Sequence, residues 1–91
     1  MNYKVLVSKT FQQKFYKTTK SIQDRIKNSL KELQKDPHKS RPNCDIKILT
    51  DTKPKKYRLR IGDFRIIYLV EKQKILVIDL IKREVGYLRL D

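Results

Sequence analysis

The 91-residue sequence has one cysteine, two glycines, one histidine, and only 10 acidic residues against 23 lysines and arginines. Each scarcity excludes something. A lone thiol forms no internal disulfide and builds no cysteine-based zinc cluster, so Cys44 is expected as a small thiol on the surface or in a loop. Two glycines leave no flexible linker, no Walker loop and no Gly-rich dinucleotide fingerprint. His38 follows Asp36-Pro37 and reads as a solvated turn residue. No Ser/His/Asp arrangement and no paired carboxylates stand out. The longest apolar runs stop far short of the roughly 20 residues of a membrane span, and the apolar start at Met1 to Val7 is too short for a signal peptide. A cytoplasmic protein without membrane association is expected, folded as a single domain over residues 1–91.

What the sequence has in excess is positive charge. The net charge is +13 and the isoelectric point about 10.0, which narrows the partners to polyanions: nucleic acid, a ribonucleoprotein surface, anionic lipid or an acidic protein. Most of the cations are lysines, which a solvated surface accounts for. The arginines are unevenly spread, because Arg58, Arg60, Arg65, Arg83 and Arg89 all fall in the last 34 residues. Apolar runs such as Ile66 to Val70 and Ile75 to Ile78 mark a chain that folds around a small core.

Periodicity gives the elements. Tyr3, Val5 and Val7 alternate with Lys4 and Leu6 as a short strand. Ser8 then reads as the N-cap of a helix running to about Thr19, with Phe11 and Phe15 at helical spacing. Ser21 is the second cap candidate, opening an amphipathic helix on Ile22, Ile26, Leu30 and Leu33 that stops at Asp36-Pro37. After Pro42 the period becomes two. Ile46 and Ile48 form one strand, Tyr57 to Ile61 the next, Phe64 to Val70 another, and Ile75 to Ile81, apolar on both faces except at Asp79, an interior strand. The order β-α-α-β-β-β-β predicts an α+β fold, a mostly antiparallel sheet with a helical hairpin on one face.

Gly62-Asp63 is a two-residue hairpin signal. It sets Ile61 opposite Phe64, Arg60 opposite Arg65 and Arg58 opposite Ile67, and alternation gathers the three arginines on one face. Opposed like charges are destabilising by some tenths of a kcal/mol or more. An anionic ligand would relieve that repulsion; splaying into water is the alternative. Asp79 is expected as a counter-charge to one of these arginines, and Arg83 and Tyr87 to reach the same face just beyond the last strand. Arg, Lys and Tyr suit phosphoryl chemistry: guanidinium forks bind phosphate oxygens and stabilise added charge, and a tyrosine beside cations can relay a proton.

The stretch Tyr57-Arg58-Leu59-Arg60-Ile61-Gly62-Asp63-Phe64-Arg65-Ile66-Ile67-Tyr68, with Arg83 four residues before Tyr87, resembles the RelE/ParE superfamily of toxin–antitoxin toxins, nearest its RelE-like branch. The resemblance covers essentially the whole chain. It implies a ribosome-dependent endoribonuclease that cuts mRNA in the A site, the ribose 2′-hydroxyl attacking the adjacent phosphate, with neither metal nor cofactor. It further implies that Arg58 and Arg60 serve the scissile region, that Arg65 stabilises the phosphorane, and that Arg83 is the basic residue after the last strand. Tyr87 would stack on a base and assist proton transfer. Some relatives carry lysine where Arg58 and Arg60 stand, and arginine is the poorer proton donor. A RelB-like antitoxin is the implied partner, in a hetero-oligomer that covers the outer faces of the helices and the sheet edge. Two alternatives accompany this reading: a ParE-like toxin acting on DNA gyrase, and a non-catalytic ribosome- or RNA-binding module.

Overall fold

The computed structural model describes residues 2–49 and 53–83. Its elements are β1 (Lys4–Val7), α1 (Lys9–Phe15), α2 (Lys20–Leu33), β2 (Asp45–Leu49), β3 (Lys56–Ile61), β4 (Phe64–Glu71) and β5 (Lys74–Lys82). The predicted α+β order is the observed one. The strands form one sheet in the order β1-β5-β4-β3-β2, parallel only between β1 and β5. β5 is therefore interior along the length of β1, as its two-sided apolar pattern requires. Among the described residues no helix is long and apolar enough to cross a membrane.

Alternation sorts the strands into two faces. Ile46, Tyr57, Leu59, Ile61, Ile66, Tyr68, Ile75, Val77 and Leu80 are buried on one of them, with Phe11 and Phe15 of α1 and Ile26 and Leu33 of α2 completing the core. Burying each such side chain is worth roughly 1.5–3 kcal/mol, which places the stability of the fold in this layer. Within it the Tyr57 and Tyr68 rings stack at 5.4 Å, and the Tyr68 hydroxyl donates to the Pro37 carbonyl at 2.7 Å. Burial drives that phenol far above its ordinary pKa, so it stays a neutral donor.

Ser8 caps α1 as expected: its hydroxyl oxygen accepts from the Phe11 N–H at 3.0 Å. The same hydroxyl donates to the Ile78 carbonyl at 2.8 Å, tying the β1–α1 junction to β5. α1 is shorter than expected, ending at Phe15. The Gln23 side-chain amide donates to the Phe15 and Thr18 carbonyls, and the Thr18 hydroxyl to Phe15. Carbonyls that a longer helix would have satisfied are met there by side chains. The second cap is Thr19, not Ser21: its hydroxyl accepts from the Ile22 N–H at 3.3 Å, and Ser21 lies inside the helix.

Arg41 fastens the segment after α2. Its guanidinium donates to the Glu32 carboxylate at 3.1 Å, the Glu32 carbonyl at 2.7 Å and the Asp36 carbonyl at 2.9 Å, and also to the Lys39 carbonyl. The clamp places Cys44, whose side chain is buried. Of the two places expected for it, Cys44 is in the loop between α2 and β2 but not at the surface: paired backbone bonds with Arg41 hold the loop there, and burial raises the thiol's pKa. His38 is exposed, as expected, with its ring edge-on to Tyr3 and Tyr57.

Candidate active site

The β3–β4 hairpin turns on Gly62, at φ +57°, a backbone conformation that costs other residues about 1–2 kcal/mol. The turn fixes the register, and Ile61 lies opposite Phe64, Arg60 opposite Arg65 and Arg58 opposite Ile67, as the sequence predicts. All three arginines share the face turned away from the helices. β2 adds Lys47, opposite Arg58, to the same face. On the other side Arg65 lies opposite Ile81. Arg83, two positions beyond Ile81, extends this pairing by donating its N–H to the Asp63 carbonyl at 2.7 Å. By alternation Arg83 falls on the Arg65 face. Tyr87 lies outside the described residues.

The cations differ in how they are held. Arg58 is the most restrained, its side chain 15% exposed and its Nη2 3.5 Å from the Asp45 carboxylate. That contact is long for a charge-assisted bond, and the buried Arg58 Nε has no hydrogen-bond partner among the described residues. An unmet buried donor costs about 1–3 kcal/mol. Arg60 is exposed and Arg65 half-buried, and neither has an ion-pair partner among the described residues. Arg60 has Arg65 opposite it on one side and Asp45 on the other, so this face carries one acid among Lys47, Arg58, Arg60 and Arg65, a cationic excess able to attract an anion.

Asp79 does not supply the counter-charge assigned to it. Its carboxylate pairs with Lys14 of α1 at 2.8 Å and accepts from the Leu80 N–H. The register shift between Ile67 and Tyr68 leaves Ile78 as an extra residue on β5. Beyond Val77, β5 has no β1 residue beside it, so Asp79 lies where the sheet edge meets α1. The acid that does touch an arginine is Asp45. Its place on β2 was not readable, because no short turn ties β2 to β3.

Sequence reasoning also passed over Arg25. This α2 residue lies against the hairpin turn: a Cβ built on Gly62 would be 3.3 Å from both Nη atoms of Arg25. A cleft of about 420 Å³ opens there between α2 and the start of β2. Another, of about 590 Å³, lies between the α1–α2 connection and the ends of β4 and β5.

Comparison with known proteins gives this geometry a context. A family model described as the ParE toxin of type II toxin–antitoxin systems, parDE, matches residues 5–87. No curated protein sequence matches the chain. The RelE–RelB complex from Pyrococcus horikoshii OT3 is 27% identical, covers 94% of this chain and 100% of its own, and superposes with a TM-score of 0.80. The RelB–RelE complex from Methanococcus jannaschii is 26% identical over 94% and 99% of the two chains, at a TM-score of 0.71. The RelBE2 complex from Mycobacterium tuberculosis shares the fold at 16% identity, with a TM-score of 0.77. A family match running from β1 past the end of β5 takes in both helices and the arginine face, and the chain belongs to the RelE/ParE superfamily of type II toxin–antitoxin toxins.

Proposed function

We propose that the protein is a ribosome-dependent endoribonuclease of the RelE type, cutting mRNA in the A site. The observation that carries this reading is the Arg60–Arg65 pair, opposed across the hairpin with no ion pair to either among the described residues, with Arg58 on the same face and Arg83 placed there by alternation. Solved relatives at 27% and 26% identity are RelE toxins, which supports it. In the proposed reaction the ribose 2′-hydroxyl attacks the neighbouring phosphate and forms a 2′,3′-cyclic phosphate, and the 5′-oxygen leaves. Arg65 and Arg60 would bind the non-bridging oxygens as charge builds on them, a donor arrangement that favours the transition state over the ground state. Arg58, pinned by Asp45, would hold the adjacent phosphate, and Arg83 the leaving side. Tyr87 is assigned base stacking and proton transfer. Since arginine stays protonated near neutrality, charge stabilisation is the part these residues play.

The partner in this reading is a RelB-like antitoxin, by analogy with the RelE–RelB complexes above, and the site of action is the cytoplasm. The name of the matched family favours a second reading, a ParE-like toxin acting on DNA gyrase. Mapping mRNA 5′ ends in a translation extract separates the two. Cuts inside codons that require ribosomes are expected; no cuts, together with stabilised gyrase–DNA breaks, would establish the second reading instead.

A further inference from the structure

We propose that Arg25, together with Asn28, Ser29 and Asn43, forms a second phosphate subsite in the cleft behind the Gly62 turn, where it binds the RNA backbone beside the reacting phosphate. The inference rests on the endoribonuclease reading and extends it to a cleft on the α2 side of the turn, which meets the arginine face at Arg60. Arg25 lies on α2, on the helix side of the sheet, yet its guanidinium reaches the hairpin turn. Both of its Nη atoms are 3.3 Å from the place a residue-62 Cβ would occupy, and Cζ is 3.6 Å away. Glycine at 62 therefore does two things: it provides the positive φ of the turn, and it leaves room for this guanidinium.

The chemistry of the cleft is that of an anion site. Arg25 has no hydrogen bond or ion pair among the described residues, so its planar fork is unengaged. Asn28, Ser29 and Asn43, which line the same cleft, carry amide and hydroxyl donors. Two acids also line it: Glu32, which bridges Arg41 and Lys35, and Asp45, which lies 3.5 Å from Arg58 and opposite Arg60 in the strand register. The uncompensated charge is Arg25, and Arg60 lines the cleft as well. Arg25, the Gly62 turn, Arg60 and Arg65 thus form a continuous path around the end of the hairpin. A path of separately placed cations fits a chain of regularly spaced phosphates, which favours an RNA backbone over an acidic peptide.

The test is fluorescence anisotropy of a short labelled single-stranded oligoribonucleotide with the full-length toxin, repeated over a series of salt concentrations. Arg25→Gln is expected to bind several-fold more weakly, with the slope of log K against log salt shallower by about 0.7, the value for one phosphate contact on a single strand. Arg25→Lys should keep the slope. Asn28→Asp, an exposed helix position, places a negative charge in the cleft and should weaken binding without lowering the thermal midpoint; it decides the matter if Arg25→Gln does not fold. Wild-type affinity and slope in the folded Arg25→Gln protein, or in Asn28→Asp, would overturn the proposal. Loss of antitoxin binding with RNA binding unchanged would likewise overturn it, assigning the cleft to an acidic peptide. An Arg25-dependent slope in a protein that cuts no ribosome-bound mRNA would sustain the subsite while sinking the proposed reaction.

Discussion

Four arginines of this chain differ in how fully their guanidinium groups are engaged. Arg41 has donors committed to Glu32, Asp36 and Lys39, and its work is to hold a loop. Arg58 is half committed, through one long contact to Asp45 and an Nε without a partner among the described residues. Arg60 and Arg65 have no ion pair among the described residues. This gradient separates structural from functional cations better than their number does. It also predicts different consequences for stability. Arg60→Ala removes a like-charge neighbour, Arg65, and an opposite-charge one, Asp45, so stability should stay within about 0.5 kcal/mol of the wild type, while activity falls. Arg41→Ala leaves carbonyls without donors and should cost about 2 kcal/mol, lowering the thermal midpoint by on the order of 10 °C. Differential scanning calorimetry of the two variants checks both expectations. That Arg58, Arg60 and Arg65 share a face could be read from the sequence, because a two-residue turn fixes register. The engagement of Arg41, like the burial of Cys44, depends on a loop path that no periodicity encodes.

Among the elements, the two helix starts and the hairpin organise the rest. Ser8 has two partners, the Phe11 N–H and the Ile78 carbonyl, so Ser8→Ala is expected to cost about 1–2 kcal/mol, measurable as a shift in the urea midpoint. The end of α2 responds to acid. The hydrogen bond from Arg41 holds the Glu32 carboxyl below its ordinary value of 4.5, and the His38 N–H holds Asp36 below 3.8. With both folded values depressed, their contribution is complete above the ordinary values and is lost as pH falls through the lowered ones. Urea midpoints should therefore decline below about pH 4.5, and less steeply in Arg41→Gln, where the leading cause of the Glu32 shift is gone. The strands were legible because alternation is strict and Gly62-Asp63 is unambiguous. The helix ends were less so: Ser21 and Thr19 are both plausible caps, and only the folded chain shows which hydroxyl meets an N–H. Asp79 was misassigned because a bulge and the end of β1 place it beside Lys14.

At the scale of the whole molecule, the helices and core cover one face of the sheet, and the other carries the arginines beside apolar residues such as Ile67 and Ile81. The +13 excess then has two parts. Scattered lysines add long-range attraction to a polyanion, which salt screens, and in the proposed reaction the arginine face supplies the local charge. The central claim is that the unneutralised hairpin arginines perform the reaction. Its most direct test is the rate of mRNA cutting on programmed ribosomes by the wild type and by Arg65→Ala, with matched thermal midpoints. A loss of about 10²–10³-fold is expected, the usual effect of removing one donor to a charged transition state. Cutting by Arg65→Ala at the wild-type rate would contradict it.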